Sequence, residues 1–479
     1  MKRAVIAVGV FVALLLVFVL AAHRAREQAV FSPSTTPTGD TAPAVIDPPH
    51  PAFIHGRVTT RDGAVYEGRL RWGDGQETFW SDWFDGRKIG NTWAELVPPE
   101  QLLGERRPVR LLGMTLVERT RAINLDRPFL ARFGDIARVE SLGAVVRLTL
   151  KSGTVIDLDR HEASDFDDGV RVWDKASGMT DLGPRQINTI EFFPPPGPGV
   201  PPARLHGSVS TARGEFTGFI RWDREACVGA DELGGTTGDA ELSLHFDDIR
   251  SIVRVSMDSA LVTLLDGREV LLSGASPVGQ GHRGIHVDHR RYGRVLVSWG
   301  AFERVLFSRG GSGPAYGDFP PGRPLTGAVT TRSGRRLAGR LVYDLDESET
   351  TETLDAPSRG VDYAIPFGLV ASIIPAGRDD RGAGQARVIL HGGEELKLEC
   401  AGDLGEGNAG MLVFTDGEGK PAYVPWADAE RIEFNRPPAM YPPFGGAASD
   451  GESRGPWPAV TSLRRRPHPR RRRSSRARR

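Results

Sequence analysis

The chain has 479 residues, enough for about three domains of ordinary size. It carries 61 basic and 61 acidic side chains, but ten arginines lie in residues 464–479 and four basic residues in residues 1–26. Residues 27–463 therefore hold 47 basic against 61 acidic side chains, a net charge of −14. This balance excludes a strongly basic nucleic-acid-binding body, because such a body must present a positive field to phosphates.

An apolar segment without charged residues follows the first three residues. As a helix, residues 4–22 would span about 28 Å, close to the hydrocarbon thickness of a bilayer. Residues 1–26 are therefore either an uncleaved signal anchor or a cleaved signal peptide, and the length favours the anchor. Residues 27–51 are rich in Pro, Ser and Thr, which predicts a disordered linker. We expect a single-pass membrane protein with an extracytoplasmic body, or a secreted or periplasmic protein if the segment is cleaved.

Internal repeats organise the body. Three segments begin alike, with Gly-x-Val-x-Thr, a turn glycine, a second glycine and then an aromatic residue. Period-two alternation around a turn glycine predicts a hairpin with one buried face. The matching positions are Gly56, Gly207 and Gly327; Val58, Val209 and Val329; Thr60, Thr211 and Thr331; Gly63, Gly214 and Gly334; and Trp72, Trp222 and Tyr343.

Each opening unit ends on a phenylalanine followed by apolar residues at a spacing of three. This spacing predicts a short helical or 3₁₀ turn before a last strand. A second unit with its own turn glycine follows each opening unit. The phenylalanines are Phe133, Phe246 and Phe367, and the turn glycines are Gly153, Gly267 and Gly393.

Five short strands interrupted by one such turn resemble the SH3-like or Sm-like small-barrel class, as in tandem repeats of poorly characterised bacterial envelope proteins. The resemblance implies an all-β fold of three tandem pairs of small barrel units, preceded by one N-terminal transmembrane or signal helix. We expect the pairs at residues 52–193, 203–308 and 323–435, with Pro-rich connectors keeping neighbouring pairs apart. Many Sm-like barrels bind RNA, but this body shows no basic, base-stacking surface, so specific nucleic-acid binding is not expected.

Aromatic residues cluster in the first pair, which has an insertion at residues 75–130 relative to the other two. Large rings on a loop-rich segment are typical of a contact surface for an envelope protein or a glycan. The alternative is that the rings cover the open end of the first barrel. The candidate binding residues are Trp72, Trp80, Trp83, Phe84 and Trp93.

Two polar clusters are candidates for metal sites. His282, His286 and Asp288 carry ligand atoms for a transition metal, which suggests an envelope metal-dependent hydrolase as an alternative function. However, His286 and Asp288 lie on a predicted strand, and the sister units have no equivalent set. Asp344 and Asp346 begin a segment similar to a calcium loop. The glycine required at its sixth position is Glu349, so we interpret this segment as a solvated turn.

Residues 436–479 end in an arginine-rich run without apolar side chains to bury, so this tail is predicted to be disordered. Its charge suits contact with polyanions. The sequence contains no nucleophile elbow, phosphate loop or dinucleotide fingerprint. We therefore predict a binding or scaffolding module of the cell envelope, without catalytic residues or a cofactor.

The topology can be tested by fractionating cells that express the protein with N-terminal and C-terminal tags. If residues 4–22 form an uncleaved anchor, both tags remain on one membrane-bound species, and added protease removes the C-terminal tag from cells with a permeable outer layer. A cleaved signal releases a soluble body that lacks the N-terminal tag. Recovery of both tags in the cytosol would contradict the predicted location of the body.

Overall fold

Antiparallel β-sheets form the body, as the all-β prediction requires, and no sheet closes on itself. The computed structural model describes residues 50–438 except for residues 74–76, 103–105, 112–113, 121–124, 126, 165, 198–202, 239, 275, 312, 377–383 and 416–419. The predicted apolar segment at 4–22, nearly all of the linker at 27–51 and nearly all of the tail at 436–479 lie outside these residues. Within them, no helix has the length and apolarity needed to cross a membrane.

The first repeat contains strands β1 to β12. Eight of them form one sheet in the order β11-β10-β2-β1-β12-β7-β8-β9, while β3 pairs with β6 and β4 with β5. A four-residue helix, α1, spans Pro99–Leu102. The strands are His55–Thr60, Val65–Trp72, Trp83–Arg87, Arg106–Leu111, Met114–Thr120, Pro128–Arg132, Ile136–Ser141, Val145–Leu150, Val155–Asp159, Val170–Asp174, Gly178–Leu182 and Ile187–Phe192.

The second repeat contains strands β13 to β22 and the third contains β23 to β32. The strands of the second are His206–Thr211, Gly214–Arg221, Glu232–Thr237, Ala240–His245, Ile249–Arg254, Ser259–Leu264, Glu269–Ser273, Ile285–His289, Gly293–Val297 and Phe302–Phe307. Those of the third are Thr326–Thr331, Arg336–Val342, Thr353–Ser358, Val361–Pro366, Val370–Ile374, Gln385–Leu390, Glu395–Glu399, Met411–Phe414, Ala422–Val424 and Ala429–Phe434.

All three repeats have the same strand order. The second repeat contains β21-β20-β14-β13-β22-β17-β18-β19, and the third contains β31-β30-β24-β23-β32-β27-β28-β29. In each repeat the last strand lies between the first strand and the strand after the 3₁₀ turn: β12 pairs with β1 and β7, β22 with β13 and β17, and β32 with β23 and β27. The two sequence units of each pair are therefore joined in one sheet.

The repeated glycines lie where strands approach closely. Gly56, Gly207 and Gly327 lie in the first strands, and a Cβ atom at any of them would overlap a carbonyl oxygen of the last strand. The second glycine of the frame lies in the next strand of each repeat. A Cβ atom there would overlap the carbonyl oxygen of Trp173, Asp288 or Phe414, respectively. These second glycines are Gly68, Gly218 and Gly339.

The repeated aromatic residue packs against the repeated phenylalanine in each core. The ring centroids are 5.3 Å apart for Trp72 and Phe133, 6.3 Å for Trp222 and Phe246, and 5.2 Å for Tyr343 and Phe367. The three phenylalanines each begin a 3₁₀ turn, at Phe133–Asp135, Phe246–Asp248 and Phe367–Leu369, which confirms the predicted turns. The turn glycines that the frame predicts at 63, 214 and 334 all have positive φ, at 87°, 140° and 82°.

The prediction that connectors keep the repeats apart is wrong. Strand β21 of the second repeat pairs with β26 of the third, so β25 and β26 join the ten strands of the second repeat in one twelve-stranded sheet. The second and third repeats also share one apolar core. In the second connector, Phe319 is buried in the core of the first repeat. Lys151 donates to the carbonyl oxygens of Tyr316 and Phe319 at 2.6 and 3.0 Å. Aromatic residues of the connector dock because they bury apolar area that a solvated spacer would expose.

The insertion of the first repeat is shorter than residues 75–130. In the second and third repeats, the strands that match β3 and β6 are joined by two-residue turns. The additional segment is therefore residues 88–127, between Arg87 and Pro128. Trp80, Trp83 and Phe84 belong to the common frame, and only Trp93 of the predicted cluster lies in the insertion.

The substitution Gly218→Ala tests the close approach of strands β14 and β20. The added methyl group overlaps the Asp288 carbonyl, which belongs to rigid paired backbone, so we expect a loss of about 1–3 kcal/mol in the free energy of unfolding. Urea denaturation of the purified protein measures it. Gly234→Ala in strand β15 is the control, since a Cβ atom there meets nothing within 4 Å. Equal effects of the two substitutions would contradict the close-approach explanation.

Candidate functional site

A polar cavity of about 480 Å³ lies between the first and second repeats. A volume of this size suits a small-molecule ligand. The first repeat contributes aromatic rings, and the second contributes most of the charged groups. Among the lining residues are Trp72, Trp83, Phe133, Asp82, Asp85, Asp168, Arg204, Arg221, Arg224, Glu225, Arg283, His286, Asp288 and Arg294.

The inner end of the cavity is a network of paired charges that crosses the junction. Asp82 precedes β3 and accepts the backbone N–H of Phe79 at 2.8 Å. The same oxygen, Oδ2, accepts from Arg221 of β14 at 2.5 Å, and the other oxygen lies 3.7 Å from Arg204. The Arg204 guanidinium lies between the rings of Phe79 and Phe219, 4.0 and 4.1 Å from their centroids. Buried charges in such pairs are costly to separate, so the network fixes the relative position of the two repeats.

Asp288 is buried beside this network. Its carboxylate accepts the indole N–H of Trp83 at 3.2 Å, which connects strand β20 to strand β3. Burial raises the pKa of Asp288 to about 6, in spite of the opposing effect of Arg204. The carboxyl group therefore changes charge in mildly acidic solution, unlike an exposed aspartate.

The residues of the predicted histidine cluster lie in two places, because His282 precedes strand β20 and is not part of the cavity lining. His286 and Asp288 line the cavity, as their alternation on a strand predicts. His282 instead stacks on Trp299 at 4.9 Å in the core, where its Nδ1 accepts the backbone N–H of Gly284. In the part of the chain that the structure describes, no group of three or more His, Cys, Asp or Glu side chains is arranged to hold a metal ion. The metal-site hypothesis for His282, His286 and Asp288 therefore gains no support.

The predicted aromatic contact surface is mostly core. Trp72, Trp80 and Phe84 are 6%, 0% and 0% exposed, and of these three Trp72 is also part of the cavity lining. They pack in the first apolar core because the frame places them on the inward face of its strands. Trp83 is partly exposed in the cavity wall. Trp93 is also partly exposed and packs edge-on against Phe414 of the third repeat, with centroids 6.2 Å apart.

The acidic segment that begins at Asp344 is buried, not solvated. Asp344 and Leu345 have positive φ values of 51° and 52°, matching Asp223 and Arg224 in the second repeat at 52° and 62°. Asp344 accepts the backbone N–H of Ala409, and Asp223 accepts the backbone N–H of Arg283. Each donor lies two residues before a strand, β30 for Ala409 and β20 for Arg283. The segment is thus a repeated structural turn.

This buried turn also holds the insertion of the first repeat. The Lys88 ammonium lies 2.7 Å from Asp346 and 2.9 Å from Glu352, and Arg127 lies 3.7 Å from Asp344. Burial alone would lower the pKa of Lys88, but Asp346, Glu352 and Glu347 outweigh it and raise the value. Burial raises the pKa of Asp344 to about 7.

The arginines of the cavity were missed by sequence reasoning. The signal that could have indicated them is departure from the repeat frame. Where the second repeat has Arg221, the third has the buried Val342, and His286 and Asp288 correspond to Leu412 and Phe414. Charged residues at positions that are apolar in a sister repeat indicate a local specialisation.

No protein-family model matches this chain, and no curated protein matches it in sequence.

The substitution Asp344→Asn tests the cost of burying this carboxylate. Folding raises the Asp344 pKa from 3.8 to about 7, so between these values the folded state holds a proton that the unfolded state has released. The free energy of unfolding therefore falls as pH rises from about 4 to 7. Asparagine keeps an acceptor for Ala409 and has no charge. We expect a gain on the order of 1 kcal/mol at pH 8 and a flatter pH dependence.

Urea denaturation between pH 4 and pH 8 measures this difference. The control is Asp258→Asn, at an exposed position. If Asp344→Asn were less stable than the natural protein at pH 8, the ion pair with Arg127 would outweigh the burial cost.

Proposed function

We propose that this protein is an extracytoplasmic, membrane-anchored binding module that holds a small polar ligand in the cavity between its first and second repeats. The observation that carries the proposal is the cavity itself. It combines the indole ring of Trp83 with buried polar groups of the second repeat, and aromatic area with a few fixed polar groups is typical of ligand sites.

The rigidity of the junction supports a binding role. Asp82, Arg204 and Arg221 connect the two repeats through buried ion pairs, so the cavity walls are held in place before a ligand enters. A preorganised site loses less conformational entropy on binding than a flexible one. The ligand therefore meets a formed surface.

The cellular location and the wider partners are part of the proposal. Residues 4–22 would anchor the chain in the membrane, and the arginine-rich tail would contact polyanions such as lipid headgroups or cell-wall polymers. Trp83 and Trp93, the partly exposed rings of the predicted cluster, remain candidates for contact with an envelope protein or a glycan.

We also propose that the repeats are related to SH3-like or Sm-like small barrels. The support is the order of elements within each opening unit: outside the insertion of the first repeat, four strands and a 3₁₀ turn precede a fifth strand, which is β7, β17 or β27. The last strand of the second unit pairs beside that fifth strand in all three repeats. Because a strand of the second unit pairs with a strand of the first, the two small units of each repeat would be fused through this pairing.

Retention of a ligand from an envelope extract tests the binding function. We expect the purified full chain to carry a small molecule in native mass spectrometry after incubation with the extract. Asp168→Trp places a large ring at an exposed position of the cavity lining and should remove that molecule. Glu241→Trp, exposed on strand β16 outside the lining, is the matched control. Equal retention by both variants, or no retained molecule with the natural chain, would contradict the proposal.

A further inference from the structure

The charges that line the cavity are unequally paired. Arg204 and Arg221 share Asp82, and Arg283 pairs with Glu225 at 2.6 Å. The Asp288 carboxylate also acts on Arg204 and Arg221, so three carboxylates balance the charges of these three arginines. Two arginines of the lining remain, Arg224 and Arg294.

Arg294 projects from strand β21 into the cavity wall, where its guanidinium lies 5.5 Å from the centroid of the Trp83 ring. Asp355 and Asp85 are near enough to raise its pKa, but burial outweighs them and lowers it. Among the residues that the structure describes, neither the Arg294 nor the Arg224 side chain forms a hydrogen bond or an ion pair. A guanidinium has five N–H donors, so both side chains present unused donors to the cavity.

His286 of strand β20 lines the same cavity as these two arginines. Its Nε2 atom is buried and has no hydrogen-bond partner within the described part of the chain. Burial lowers the pKa of His286 well below its usual value, and Arg294, Arg224 and Arg221 all lower it further. The guanidinium groups of these arginines are therefore close to the His286 ring.

The carboxylates of the same lining interact with arginines or are exposed. Asp82 forms ion pairs with Arg204 and Arg221, and the Asp288 carboxylate is also close enough to interact with the charges of both arginines. Asp85, Asp168 and Arg224 are all exposed, so water and salt screen their charges, whereas Arg294 and His286 are partly buried. The positive wall is defined by the guanidinium groups of Arg224 and Arg294, and the neutral imidazole of His286 adds a polar group to it.

We propose that this positive wall binds an oxyanion, the phosphate or carboxylate group of a small ligand, with Arg224 and Arg294 supplying charge-assisted hydrogen bonds and His286 an N–H donor. The inference rests on the proposed binding function and adds the chemical class of the ligand. Guanidinium groups match the geometry of both oxyanions, and bonds of this kind are about twice as strong as neutral ones. Trp83 would then pack against the uncharged part of the ligand.

The test uses the full chain in detergent, with inorganic phosphate and malonate as separate probes at pH 7.5 and low salt. Isothermal titration calorimetry and the quenching of Trp fluorescence report binding. We expect saturable binding of at least one probe, and preference for phosphate or malonate distinguishes the two oxyanion sources. Arg294→Gln and Arg224→Gln should each weaken binding by about tenfold or more.

Two controls keep this result interpretable. Arg304→Gln removes an exposed arginine of strand β22 outside the lining and should leave affinity unchanged. His286→Gln keeps an N–H donor and should retain binding within about threefold, whereas His286→Leu should lose it. Unchanged urea denaturation of each variant confirms that it is folded.

The inference is overturned if neither probe binds, or if Arg294→Gln and Arg224→Gln bind as tightly as the natural chain. If a neutral molecule from the envelope extract is still retained and is lost in Asp168→Trp, the binding function stands while the oxyanion wall is wrong. If no molecule of any kind is retained, both proposals fail.

Discussion

The fold depends on one backbone constraint, the pairing of the last strand of each repeat between two earlier strands. Strand β12 lies between β1 and β7, and β22 and β32 take the same position in their repeats. Each repeat becomes a continuous sheet only after its whole sequence is present. The constraint also explains the glycines of the first strands, because the carbonyl groups of the inserted strand leave no room for a side chain at Gly56, Gly207 or Gly327.

Within this common frame, differences between repeats create the polar features. The third repeat keeps apolar residues, Val342, Leu412 and Phe414, where the second has Arg221, His286 and Asp288. Paired charges across the first junction then hold two repeats around a polar cavity instead of a dry core. The position of the cavity follows from where the repeats diverge, as expected when function is added to a repeated scaffold.

Charge is distributed unevenly through the body. The net charge of −14 for residues 27–463 suggests a solvated acidic surface, yet Asp344, Asp346 and Glu352 are buried against Lys88 and Arg127. Their partners come from an insertion more than two hundred residues away, and nothing local in the acidic turn indicates that they are covered. An acidic turn in solvent and one covered by a distant insertion have the same sequence pattern.

The sequence by itself determined the repeats, the all-β class, the hairpin glycines and the three 3₁₀ turns, because these depend on local periodicity and on backbone angles that few residues adopt. It also determined that His286 and Asp288 share a face, since alternation on a strand is a local rule. Only the tertiary structure decided that Trp80 and Phe84 are core, that Phe319 docks on the first repeat, and that Arg224, Arg294 and His286 line one cavity. The physical reason is that burial and charge pairing depend on which distant strands pair with each other. The sequence pattern of a single strand does not determine its neighbours in the sheet.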